Sequence, residues 1–335
     1  MKVIQIAGGF GLEKLELAER ARPAVGPGQV LVRVRAASLN YRDLMVTLGH
    51  YNPRLKLPLV PGSDGAGEVE EVGAGVTAVK PGDRVAGCFF QRWVDGALDD
   101  VNARSTLGGD RDGMIGEYAV LEEHGVVKLP AGYSFEEGAT LPCAALTAWN
   151  ALFEAGRLKA GETVLVQGTG GVSMFALQFA RMAGARVIAT SSSPEKLERA
   201  RALGANETVN YKSEVWDARA RELTGGIGVD HIVEVGGAST LAQSFKAVRR
   251  GGTISVIGVL AGNAEVNPMP VLMRGLVLHG IFVGSQRMFR DMNRAIELAA
   301  MKPVIDRTFA LGEARAAFEH MQAGRHFGKI VIRID

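Results

Sequence analysis

Residues Thr163–Tyr211, TVLVQGTGGVSMFALQFARMAGARVIATSSSPEKLERARALGANETVNY, carry the reading that decides the fold. Val164–Val166 is a short apolar, β-rich run, and a glycine turn follows at Gly168, Thr169, Gly170 and Gly171. Helical spacing then runs from Val172 to Met182, and a second apolar run spans Arg186–Thr190. A strand, a glycine turn, a helix and a strand in this order bring bare backbone amides and the positive end of a helix dipole to one place. That is what a dinucleotide pyrophosphate requires. The third position of the G-x-G-x-x-G pattern is Ser173, small enough for close helix–strand packing.

The end of the second strand selects the dinucleotide. An acid there would bind both ribose hydroxyls and repel a 2′-phosphate. This chain has Thr190, Ser191, Ser192 and Ser193, followed by Lys196 and, at the end of the next strand run, Tyr211. Hydroxyls, an ammonium and a phenol suit a phosphate, so NADP (as NADPH) is expected. Glu195 is the counter-argument, one step too far along the chain. A solvated helix face is the other reading of Lys196.

Outward from this segment the period continues. Strand runs at His231–Val235, Thr253–Ile257 and Val277–Phe282 alternate with helical patterns at Pro194–Leu203 and Ser239–Val248. That alternation predicts an α/β fold, a Rossmann doubly wound parallel sheet. Residues 1–120 differ. Gln29–Ala36 alternates apolar and polar residues, and Gly65–Val72, Arg84–Ala86 and Glu117–Leu121 are further strands between turns. A separate antiparallel or barrel-like domain is expected there. Phe135–Glu154 has helical spacing broken by Pro142, Leu311–Met321 is a helix, and Lys329–Ile334 is a last strand returning to the first domain. The expected domains are 1–126 with 286–335, and 127–285.

A net charge of +2 over 335 residues selects neither nucleic acid nor an acidic membrane. No run approaches the ~20 apolar residues of a membrane span. Two cysteines, Cys88 and Cys143, make no disulfide framework, so a reducing, cytoplasmic setting is expected.

Several segments are similar to those of the medium-chain dehydrogenase/reductase superfamily: AASLNYRDLMVTLGHY (Ala36–Tyr51), LVPGSDGAGEVEEVGAGV, KPGDRVAG, the cofactor segment with its ending VNY, and GRHFGKIVI (Gly324–Ile332). The chain most resembles the zinc-free quinone oxidoreductase and enoyl reductase branch. The resemblance implies a GroES-like domain, discontinuous in sequence, beside the Rossmann domain. Zinc alcohol dehydrogenases hold their metal with a Cys, a Gly-His-Glu segment and a later Cys or Asp. Here Asn40 and Gly62-Ser63-Asp64 stand at the first two places, and only Cys143 remains. One thiol does not hold zinc, so no metal is expected. Cys143 reads as a buried core thiol.

Without a Lewis acid, hydride addition to a quinone or α,β-unsaturated carbonyl is easier than addition to a plain ketone. The charge spreads into an enolate that one or two donors can stabilise. The resemblance makes Asn40 and Tyr51 the catalytic candidates. Their bland alternatives are a bond to the loop backbone for Asn40 and packing for Tyr51. The neighbouring charges Arg42 and Asp43 read as fixing the loop. The resemblance also assigns cofactor contacts to Gly258, Val259, Leu260, Phe282, Val283, Gly284 and Arg325. Phe90 and Trp93 are pocket candidates, and the apolar sixth strand implies a homodimer. Two other functions remain open: a zinc-independent alcohol or aldehyde dehydrogenase, and an NADPH-binding sensor or structural protein without turnover.

Overall fold

The computed structural model describes residues 1–258 and 265–335. The chain divides into two units, Met1–Leu146 with Gly284–Asp335, and Thr147–Val283. In the first unit, β1 (Lys2–Ile6) and β2 (Leu15–Glu19) form an antiparallel hairpin. The long strand β3 (Gln29–Leu39) leads through Asn40 into α1 (Tyr41–Thr47), and β4 (Asp64–Val72), β5 (Arg84–Gly87), β6 (Tyr118–Glu122) and β7 (Val126–Lys128) follow. β3 pairs antiparallel with both β4 and β6. Its alternation buries Val30, Val32 and Val34 in a core with Val69, Val85, Leu107 and Leu121. Next to a bulge in this ladder, Gly67 is required by space, because a Cβ there would lie 2.1 Å from the Arg33 carbonyl oxygen.

The helical stretch after β7 does not break at Pro142. It runs as α2 (Phe135–Ala139), a π turn over Leu141–Ala145, α3 (Leu146–Trp149) and a second π turn over Asn150–Glu154. Proline lacks an N–H and crowds the carbonyl four residues back, and a wider turn relieves both problems. Ser134 caps α2, accepting from the Glu137 N–H at 3.1 Å.

The second unit holds β8 (Thr163–Gln167), α4 (Gly171–Met182), β9 (Arg186–Ser191), α5 (Pro194–Ala202), β10 (Glu207–Asn210), α6 (Trp216–Leu223), β11 (Val229–Glu234), α7 (Ala238–Ala247), β12 (Val248–Val256), α8 (Met269–Arg274) and β13 (Val277–Gly280). The six strands are parallel, in the order β10-β9-β8-β11-β12-β13. This is the Rossmann order, and it reverses between β8 and β11, where such sheets bind their ligands. Leu165, Ile188, Val209, Ile232, Phe245 and Ile254 form its core. β12 starts earlier than the apolar run from Thr253, because the chain leaves α7 directly into it. β13 ends at Gly280, leaving Phe282 beyond the strand.

The chain then re-enters the first unit through α9 (Gln286–Leu298), β14 (Ile305–Ala310), α10 (Ala314–Gln322) and β15 (Lys329–Arg333). β15 lies antiparallel to β3, with Ile330 opposite Leu39, and completes a seven-stranded sheet. That pairing sets Lys329 beside Asn40. Among the described residues no helix is long and apolar enough to cross a membrane.

Candidate active site

The turn after β8 is built for close approach. Gly168 has φ +68°, and a Cβ on Gly168 or Gly170 would meet nothing within 4 Å. Gly168 is therefore required by its backbone conformation, and both positions leave open space beside the chain. Gly170 caps α4 without a side-chain bond, and Gly171 and Val172 begin the helix. Thr169 is buried. Ser173 is buried too, and its hydroxyl donates to the Gln167 carbonyl at 2.6 Å. The departure from glycine thus ties the helix's first turn to the end of its strand.

A polar tie absent from the sequence reading joins this turn to the one after β11. Gln167 Nε2 donates to Glu234 Oε2 at 2.7 Å. The wholly buried Glu234 also accepts from the Gly236 and Gly237 amides, at 2.9 and 3.1 Å, and from Thr240 and Ser244 hydroxyls. These donors satisfy a carboxylate with no cation beside it in the set. The available signal was a glutamate ending an apolar strand run.

At the end of β9, Ser191 is buried and Ser192 half-buried, and Ser193 caps α5 by accepting from the Lys196 N–H at 3.3 Å. The Gly168 amide lies 3.4 Å from Thr190 Oγ1, and the Tyr211 amide donates to the Ser191 carbonyl at 3.2 Å. The structure therefore gathers Gly168, Thr190–Ser193, Lys196 and Tyr211 from three segments. Tyr211 is exposed, as is Glu195. Gly258 passes so close to β11's end that a Cβ would lie 1.8 Å from the Val235 carbonyl oxygen. Val259 and Leu260 lie outside the described residues. Phe282 is exposed. Val283 has φ +57°, rare for a β-branched residue, and its carbonyl accepts from Asn150 Nδ2 at 2.7 Å. In the first unit, Gly284 packs where a Cβ would meet Leu146 at 2.8 Å, and Arg325 is exposed in the turn before β15.

The first unit carries a buried polar cluster around Asn40, which is 8% exposed at the N-terminus of α1. Asp43, wholly buried, accepts from the Asn40 amide at 2.8 Å and from the Ser63 amide at 3.1 Å, joining the loop before α1 to the start of β4. Arg42 Nη1 lies 3.6 Å from Asp43. Asn40 Nδ2 donates to Ser63 Oγ at 3.2 Å, and Ser63 Oγ donates to Asp64 Oδ1 at 2.9 Å. Asp64 Oδ2 accepts the Cys143 amide at 3.2 Å. Lys329, 3% exposed, donates to the Leu39 carbonyl at 2.7 Å and to Asn40 Oδ1 at 2.5 Å, and stands 3.8 Å from Asp64. Burial raises the Asp64 carboxyl to about 6, with Lys329 pulling it down. Burial likewise raises Asp43 against the pull of Arg42. Lys329 escaped the sequence reading; its signal was a charge opening the apolar run KIVI.

Tyr51 is 40% exposed, with the Arg42 guanidinium 5.1 Å from its ring centre. Arg42 in turn donates to the Leu107 carbonyl at 2.6 Å and to Thr106 Oγ1 at 3.0 Å. Burial pushes the Tyr51 phenol up, against the opposing charge of Arg42, so it keeps its proton at neutral pH. Phe90 and Trp93 pack edge-to-face with ring centres 5.6 Å apart, and both are buried.

A zinc ion does not fit this donor set. Burial, reinforced by Asp64, raises the Cys143 thiol far above the range in which a thiolate forms unaided, and an ammonium already stands beside Asp64. Among the described residues no group of three or more His, Cys, Asp and Glu is arranged to hold a metal.

A six-stranded Rossmann sheet joined to a GroES-like unit defines a dinucleotide-dependent oxidoreductase. The alcohol dehydrogenase GroES-like domain family matches residues 26–131, and the zinc-binding dehydrogenase family matches 171–300. A zinc-type alcohol dehydrogenase-like protein of Schizosaccharomyces pombe is 48% identical, over 97% of this chain and 96% of its own. The quinone oxidoreductase of Rattus norvegicus is 32% identical, over 99% and 97%. Among solved structures, an NAD-dependent alcohol dehydrogenase superposes with TM-score 0.92 at 36% identity, covering 100% of both chains. Crotonyl-CoA carboxylase/reductase AntE, in complex with NADP, gives 0.88 at 26% identity, covering 99% of this chain and 94% of its own. The chain belongs to the medium-chain dehydrogenase/reductase superfamily, with its quinone oxidoreductase-like branch among its relatives.

Proposed function

We propose that the chain is a zinc-independent, NADPH-dependent oxidoreductase that reduces a quinone or an α,β-unsaturated carbonyl. The observation that carries this reading is the replacement of a metal's donor set by an amide, a hydroxyl and a buried ammonium around Asn40. The open turn at Gly168 and Gly170 and the unencumbered first turn of α4 would hold the pyrophosphate. Ser191, Ser192, Lys196 and Tyr211 would take the 2′-phosphate, with no carboxylate at the strand end to oppose it. NADPH supplies a hydride when bound. Asn40 would donate to the carbonyl oxygen as charge develops there, and Tyr51, protonated at neutral pH, would return a proton to the adjacent carbon. Such donors suffice for a delocalised enolate and fall short for a localised alkoxide.

The test is NADPH and NADH consumption over quinones, enones, enoyl thioesters and ketones, with metal analysis of the same sample. Preference for NADPH with a quinone or enone, in metal-free protein, is the expected outcome. Oxidation of secondary alcohols without enone reduction would overturn the reading. It would favour the alcohol dehydrogenase alternative, to which the 36%-identical structure lends support. We also infer a cytoplasmic homodimer. The edge strand β13 exposes Val277 and Leu278, and α8 before it exposes Met269, Leu272 and Met273, an apolar face costly to leave in water.

A further inference from the structure

Amide side chains look alike from both ends, and a donor that must point one way needs something to decide which. In the cluster around Asn40 that decision is made by groups with only one choice. An ammonium has three donors and no acceptor, so the Asn40 atom 2.5 Å from Lys329 Nζ must be the carbonyl oxygen. A carboxylate only accepts, so the Ser63 hydroxyl proton points to Asp64 and its lone pair faces Asn40 Nδ2. From Lys329 through Asn40 and Ser63 to Asp64 every bond therefore runs in one direction. Lys329 is itself held by the Leu39 carbonyl and by the 3.8 Å approach to Asp64, which closes the circuit. Nδ2 donates to Ser63, and the Asp64 carboxylate also draws on the Asn40 amide.

We propose that Lys329 is a positioning residue: its ammonium locks the Asn40 amide with Oδ1 toward Lys329 and a polarised Nδ2 toward Ser63 and Asp64, where a substrate oxygen competes with Asp64 for a hydrogen, and so does through Asn40 part of what a metal does directly. This rests on the reading of Asn40 as the donor to the carbonyl. Pulling electron density toward Oδ1 makes the Nδ2 hydrogens stronger donors. The simpler alternative is that Lys329 only neutralises Asp64 and Asp43, opposite Arg42.

The two roles separate in the double variant Lys329→Met with Asp64→Asn. It removes both charges, so no carboxylate is stranded by loss of its ammonium and the fold is spared that cost. Two quantities are measured on wild type and double variant: kcat with the best quinone or enone, and the side-chain NH2 resonances of Asn40, assigned by their loss in Asn40→Ala. The lock predicts two well-separated Asn40 protons in the wild type, collapsing toward each other in the double variant. It also predicts a kcat lower by about 10- to 100-fold, with NADPH affinity unchanged. Native kcat and an unaltered Asn40 pair in the double variant would overturn it and leave Lys329 as a neutralising charge. If the wild type reduces no quinone or enone, the functional reading fails by itself, and the Asn40 resonances still decide for or against the lock.

Discussion

In the first unit Asp43, Asp64 and Lys329 are each at most 3% exposed, and their charges are settled among themselves and with Arg42. In the second, the turn after β8 offers bare amides and open space, with serine hydroxyls at the end of β9 and a buried carboxylate satisfied by neutral donors. One region orients donors by internal charge; the other leaves backbone donors uncommitted. The first depends on every partner being present, because a buried charge that loses its partner is left unsolvated. The second tolerates substitution better in folding, and is sensitive in what it binds.

The sharpest way to break this contrast is Asp43→Ala. It orphans the Asn40 and Ser63 amides and takes the buried carboxylate from beside Arg42, and should lower unfolding free energy by about 3–5 kcal/mol in urea denaturation. A loss below about 1 kcal/mol would mean the cluster is far better hydrated than its burial implies.

Next comes pH. Burial lifts Asp64 from 3.8 to about 6 in the folded chain, so the folded state holds this proton more tightly than the unfolded state. Asp64 therefore favours folding below about pH 4, and that contribution is lost as pH rises to about 6. Between these limits wild type should lose about 2–3 kcal/mol relative to Asp64→Asn, measured as the difference in urea unfolding at each pH.

Tyr51→Phe should lower kcat by about 100-fold if the phenol returns the proton. Unchanged turnover on every accepted substrate would reduce Tyr51 to a wall of the site. In the second unit, Ser192→Asp places a charge against the 2′-phosphate, and should shift the NADPH-over-NADH ratio of kcat/KM by at least about 10-fold toward NADH. Thermal stability should barely change. Smallest is Ser173→Ala, which removes only the bond to the Gln167 carbonyl and should cost about 1 kcal/mol in urea unfolding.

The second unit was largely legible in the chain, because its signals are local. Apolar runs and glycines lie in the order in which they are used, and Gly168 announces a backbone conformation that favours glycine. Even so, α6 and α8 were missed there, and α9 was missed in the first unit. In α9 the buried Met288, Phe289, Met292 and Ile296 keep a helical period that charged neighbours obscure. The hairpin of β1 and β2 and the strand β14 were missed as well, since short strands give few alternations to count.

By itself, the sequence determined the doubly wound sheet and the strand that returns to the first domain. Each is written as a period or as residue types at fixed spacing. Only the tertiary structure decided that Asn40, Ser63, Asp64 and Lys329 form one directed circuit. Lys329 is 289 residues from Asn40, and they meet only because β15 pairs with β3. Hydrogen-bond direction depends on which atoms face each other after packing, and no local pattern encodes that. The glycine turn could be read from its neighbours in the chain; the lysine could be read only from its neighbours in space.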